Sequence, residues 1–92
     1  MASKYKWLLD AGHGGLTPDG KYTSSPESMH VFKDGLTICE GAVNRVLVDE
    51  LIQGLEYGRI EYEIIHDEFI DLPLTERVAI ANKYYAEDKR CI

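Results

Sequence analysis

Only two cysteines, Cys39 and Cys91, occur in the 92 residues. That is far too few for a disulfide scaffold, and each stands where a small buried apolar residue would also fit, so both are expected to be free core thiols. Long apolar runs are missing as well. No stretch approaches the ~20 residues of a membrane span, and the segment from Met1 to Trp7 has no apolar core of signal-peptide length. The expectation is synthesis in the cytoplasm without a signal peptide, with any target outside the cell reached only after release by other means. Basic blocks are also absent. Ten Lys and Arg against sixteen Asp and Glu give a formal net charge of -6 and a pI near 4.9, a balance that repels nucleic acid and anionic lipid surfaces. Neither is expected as a partner.

What remains is ordinary globular composition, 45% apolar and 28% charged, which excludes a disordered or collagen-like chain. One small domain is the default, burying only a little over ~60% of the surface its unfolded form exposes.

Tyr5 to Asp10 alternates and then becomes continuously apolar at Leu8-Leu9, which predicts a buried first strand. Residues 14 to 39 hold four of the eight glycines with Pro18 and Pro26 and show no helical period. Within them, Asp34-Gly35 between short apolar pairs from Val31 to Ile38 predicts a local hairpin. A loop of that length is expected to serve as a lid or binding surface. From Glu40 to about Glu56, Val43, Val46, Leu47, Leu51 and Leu55 fall at spacings of three and four, the stripe of a helix that Gly58 should end. Ile60 to His66 reads as a second strand. Asp71 and Pro73 signal a second helix, with Leu74, Val78, Ala81 and Tyr85 in register. Lys89 to Ile92 looks like the opening of a third strand.

The order strand, helix, strand, helix, strand implies parallel pairing with right-handed crossovers, and ligands in such sheets bind beyond the carboxyl ends of the strands. On that rim stands Gly12-His13-Gly14-Gly15, where glycines leave little bulk around one imidazole and permit a sharp turn. Glu40 opens the first helix, whose N-terminus should return to the same rim.

Leu9-Asp10-Ala11-Gly12-His13-Gly14-Gly15, Glu40 with Asn44, and the stretch from Leu72 through Arg77 to Ala81-Asn82 together resemble three motifs of the zinc-dependent N-acetylmuramoyl-L-alanine amidases, cell-wall hydrolases of bacteria and phage endolysins. Each motif alone is weak; three in the right order and spacing are fairly specific. The resemblance implies an α/β three-layer fold, a mostly parallel twisted sheet with helices on both faces. The 92 residues would cover about half of one catalytic domain, its N-terminal part. It implies Zn2+ as cofactor, with His13 and Glu40 as metal ligands, and peptidoglycan as partner. Catalytic zinc usually takes three nitrogen or oxygen ligands from protein and leaves one place for water, whose pKa it lowers to about 7. The family cleaves the amide between N-acetylmuramic acid and L-alanine, with a glutamate moving the proton. The family's third ligand, a histidine, and that catalytic glutamate would both fall beyond Ile92. The isolated chain is therefore expected to bind zinc weakly and not to hydrolyse peptidoglycan.

Other readings stay open beside these. His66, at the end of the second strand, and His30, in the long loop, could each complete a site or be ordinary hydrogen-bonded or solvated histidines. His13 itself could be a solvated imidazole in a tight turn, and Glu40 a carboxylate that meets the helix dipole. Asp10 could orient His13 or bond to loop amides. Arg77 and Asn82 are expected to tie the second helix to neighbouring loops. Tyr57, Tyr62, Tyr84 and Tyr85 suit sugar stacking or, more commonly, packing. The competing function is a non-catalytic α/β module whose Gly-rich turn cradles an anion or cell-wall ligand with backbone N–H groups, although no Walker or Gly-x-Gly-x-x-Gly pattern occurs. Open sheet edges could also pair with a second chain.

Overall fold

The computed structural model describes residues 3–92. Strand β1 (Trp7–Leu9) takes the apolar run before the glycines, and pairs in parallel with β4 (Tyr62–Ile64), Trp7 opposite Tyr62 and Leu9 opposite Ile64. On the other edge of β1, the Leu8 N–H donates to the Ile92 carbonyl at 2.8 Å and the Ile92 N–H to the Lys6 carbonyl at 2.9 Å. Cys91 thus begins a third parallel partner, bridged to Lys6. Arg90 ties the three together. Its guanidinium donates to the Ser3 carbonyl at 2.7 Å, to Glu61 just before β4, and to Asp88 at 2.6 Å. These bonds hold the Asp88 carboxyl at about 2, well below the usual carboxylate range.

The long segment after β1 forms the expected hairpin, β2 (Met29–Val31) antiparallel to β3 (Thr37–Cys39), with His30 opposite Ile38. Gly35, at φ 88°, supplies the left-handed turn residue there. Strand β3 runs without a loop into α1 (Glu40–Tyr57). Helix α1 ends one residue past the predicted point, and Gly58 is not the left-handed cap: its φ is -80°, and Arg59 takes φ 56° instead. The Ile60 N–H then reaches the Leu55 carbonyl at 2.8 Å, closing the helix end in the Schellman manner. Helix α2 (Leu74–Glu87) follows Pro73 directly. Asp71, read from sequence as a helix-start residue, is engaged instead with Ser24 and Arg77.

Elements of both kinds are therefore present, an α/β chain with one parallel and one antiparallel pairing. The buried apolar residues among those described are Leu9, Ala11, Leu55, Ile65 and Cys91. Cys39 is half-buried, and both cysteines are free thiols. The helical periodicity predicted α1 and α2 well and their burial poorly, since Val46 and Leu47 on α1 are 59% and 62% exposed and Leu74 on α2 is 75% exposed. The reason is length. An 18-residue helix runs about 27 Å, whereas three-residue strands span about 10 Å, so the small sheet reaches only part of α1. The Cα radius of gyration, 15.2 Å, accordingly exceeds the roughly 12 Å of a compact domain this size. Among the described residues, no helix is long and apolar enough to cross a membrane.

Candidate metal centre at the Gly-His-Gly turn

The turn after β1 has an unusual backbone, but at the histidine and not at its glycines: His13 has φ 63°. Gly14 and Gly41 serve close approach. The Gly14 carbonyl lies where a Cβ on Gly41 would stand, and a Cβ on Gly14 would meet Thr23 and Ser24. The turn is thereby seated on the first turn of α1. Since His13 precedes Gly14 and Glu40 precedes Gly41, this contact joins the backbone segments that carry the two predicted ligands.

Two buried guanidiniums fix the seat. Arg45, on α1, donates from Nη1 to the carbonyls of Gly14 at 2.9 Å and Gly41 at 3.0 Å, and from Nη2 to those of His13 at 3.0 Å and Asp67 at 2.7 Å. Its Nε reaches the Glu68 carbonyl at 2.9 Å. Arg77, on α2, donates from Nη1 to Asp10 Oδ1 at 2.6 Å and the Ala11 carbonyl at 2.7 Å, and from Nη2 to the same His13 carbonyl at 3.0 Å. The His13 oxygen is thus shared by both cations. Asn44 Nδ2 adds a bond to the Gly12 carbonyl at 3.1 Å. Arg45 is pulled below its ordinary pKa, by desolvation first and by the nearby Arg77 second. Its hydrogen-bond partners are backbone carbonyls, and the carboxylates of Asp71 and Asp67 act on it only from a distance. Planar guanidinium forks suit such multiple acceptors, which a lysine could not match.

The His13 side chain is exposed and borders a cleft of about 330 Å3 lined with Asp10, Asp71, Leu72, Leu74 and Arg77. A larger cavity of about 470 Å3 lies across Arg45, bounded by His66, Glu68, Phe69 and Ile64, and His13 is not part of it. Of the two predicted ligands, His13 borders the smaller cleft and Glu40 lines neither.

The remaining predicted residues divide clearly. Glu40 is half-buried and meets His30, Nε2 to Oε2 at 3.1 Å. His30 stands on strand β2, not in irregular loop. His66 is a satisfied histidine: its Nδ1 accepts the Ala11 N–H at 3.0 Å, and burial, followed by Arg45, lowers its pKa. Asp10 pairs with Arg77, which is neither of the roles anticipated for it. Arg77 ties α2 to the turn as expected, while Asn82 is exposed. Tyr57 is 93% exposed and packs on nothing.

Sequence reasoning missed Arg45 and Tyr22. The Tyr22 hydroxyl accepts the Gly41 N–H at 3.0 Å, satisfying a first-turn donor that Cys39, the N-cap, leaves without a side-chain partner. The available signal for Arg45 was its place one turn after Gly41, away from the apolar stripe.

An imidazole nitrogen and a carboxylate oxygen are donors of the kind zinc takes. In number they fall short, since no group of three or more His, Cys, Asp or Glu that could hold a metal occurs among the described residues. Compared with models of known families, with curated proteins and with solved structures, the chain matches none.

Proposed function

We propose that this chain is the N-terminal part of the catalytic domain of a zinc-dependent N-acetylmuramoyl-L-alanine amidase, a three-layer α/β fold with His13 and Glu40 as two of its metal ligands. One observation carries the reading. The three segments that resemble the family's motifs, far apart in sequence, meet at a single turn: Gly12 to Gly15 sits on the first turn of α1, Asn44 bonds the Gly12 carbonyl and Arg77 bonds the His13 carbonyl.

When bound, zinc would supply an activated water and polarise the scissile carbonyl. This chain's own residues hold and orient. His13 and Glu40 present donor atoms, while Arg45, Arg77 and Asn44 fix the backbone that carries His13. With two donors the 92-residue chain binds zinc weakly and does not cleave peptidoglycan. Metal analysis of purified chain tests the assignment: His13→Ala and Glu40→Ala each lower bound zinc at least tenfold, since losing a ligand costs no less than losing one of a ligand's outer partners, 10–100-fold. Zinc retained in full by both variants would sink it. An assay on purified peptidoglycan should show neither new L-alanine amines nor new reducing sugar ends. New amines at an appreciable rate would mean that the two donors suffice.

The anion-cradle reading has weaker support. Two amides of the turn are already engaged, Gly14 N–H with Ser24 Oγ and Gly15 N–H with the Phe69 carbonyl at 3.1 Å, which leaves less of a backbone nest for an anion.

A further inference from the structure

A groove runs beside α1, made of two cavities of about 300 Å3 and 470 Å3 that share Leu16 and Ala42 in their walls. One end is apolar. Ile38 of β3 faces Val43 and Val46 of α1 there, and these side chains are open to solvent, Val46 to 59%. Contiguous exposed apolar surface of this kind marks a docking site, as single scattered side chains do not. At the other end, Asp49 of α1 and Glu68 of the loop after β4 stand beside Phe69. Charge at this end is one-sided. Neither Asp49 nor Glu68 enters an ion pair among the described residues, and the cation in the wall, Arg45, has its guanidinium committed to backbone carbonyls. His66 lies at the same end with Nδ1 on the Ala11 N–H, and burial lowers its pKa so that it is neutral at physiological pH. An apolar pocket therefore opens onto two carboxylates that no neighbouring cation engages.

We infer that this groove docks a basic amphipathic helix of a partner protein, an apolar side chain entering beside Val43 and Val46 while a lysine or arginine reaches Asp49 and Glu68. The dimensions suit a helix. From Ala42 to Asp49 the groove follows two turns of α1, about 10 Å, so a helix laid along it sets an anchor and a cation three or four residues apart against the two ends. A second copy of this chain is the poorer occupant, because each copy carries a net charge of -6 and acidic surface would meet acidic surface. The groove shares no lining residue with the cleft at His13. The inference thus goes beyond the amidase reading and involves no metal.

The probes are three synthetic helical peptides of about 15 residues, with leucine along one face and lysine, glutamine or glutamate elsewhere, titrated with the 92-residue chain by fluorescence anisotropy. The lysine peptide binds about tenfold tighter than the glutamate peptide, with glutamine between them, and added salt narrows the gap. Val46→Asp weakens lysine-peptide binding about tenfold, as loss of a buried anchor contact does. Asp49→Asn with Glu68→Gln weakens it about fivefold, the effect of two exposed charge pairs, and leaves the glutamine peptide bound as before. Glu76→Gln with Glu87→Gln, the same change of charge placed on α2, keeps wild-type affinity for all three. Equal affinity for the lysine and glutamate peptides overturns the inference, as does wild-type binding by Val46→Asp. So does an equal loss in the α2 control, which would trace binding to net charge and not to the groove. Sedimentation of the chain alone should show a monomer; a dimer that Val46→Asp dissociates would give the groove to a second copy and overturn the assignment.

Discussion

His13 is held in the left-handed region at φ 63°, which costs a non-glycine residue about 1–2 kcal/mol; histidine is among the side chains that tolerate it. The bonds of Arg45 and Arg77 to its carbonyl hold the conformation. His13→Gly should therefore be more stable than His13→Ala by about 1 kcal/mol in urea denaturation, while both lose zinc. Equal stability would mean that the backbone relaxes and is not locked. His66 gives a second consequence. Burial holds its folded-state pKa below the ordinary histidine value of about 6.5, so at mildly acidic pH the unfolded chain binds a proton that the folded chain does not. Stability is then fully present above the unfolded value and falls as pH drops through 6.5 toward the folded value. The carboxylates with lowered pKa, such as Asp67 and Asp88, act only at lower pH. Urea midpoints at pH 7.5 and 5.5 should show the decline, and His66→Asn, which keeps an acceptor for the Ala11 N–H, should flatten it. An unchanged slope in that variant would assign the decline to other groups.

Among the elements, the helices and hairpin were legible because period and turn chemistry are local: the α1 stripe, Pro73 before α2 and Asp34-Gly35 each act within a few residues. The clamp was not legible. Nothing in the immediate neighbourhood of Arg45 announces that its guanidinium will serve the carbonyls of Gly12, Gly14 and Asp67 from two distant loops. Nor could the sequence tell that Asp10 would be engaged by Arg77. Helix α1 and the turn are joined mainly through that buried arginine, which predicts that Arg45→Lys destabilises by about 3 kcal/mol or more. A lysine leaves several buried carbonyls without donors, and the urea midpoint reads the loss. A shift below about 1 kcal/mol would show that water replaces the guanidinium and that the clamp is not what seats the turn.

Over the whole molecule, strand order followed from the alternation of elements, and the parallel pairing of β1 with β4 and with residues near Cys91 agrees with it. The extent of the core did not follow. Apolar spacing says which face a helix would bury, not whether a surface exists to cover it, and on α1 that face is largely open around Val46, Leu47 and Leu51. The same limit applies to the site. The sequence pointed to His13 and Glu40 separately, while the contact of Glu40 with His30 depended on hairpin register that only the folded chain displays. Zinc binding at this one turn, gathered from three distant segments, is the proposal most open to direct test. A zinc titration followed by two-dimensional NMR of the 15N-labelled chain addresses it residue by residue. The account predicts progressive shifts confined to Gly12–Gly15, His30 and Glu40–Asn44, with His66 and Cys91 still. Shifts centred on His66 or Cys91, or none at His13 and Glu40, would contradict it.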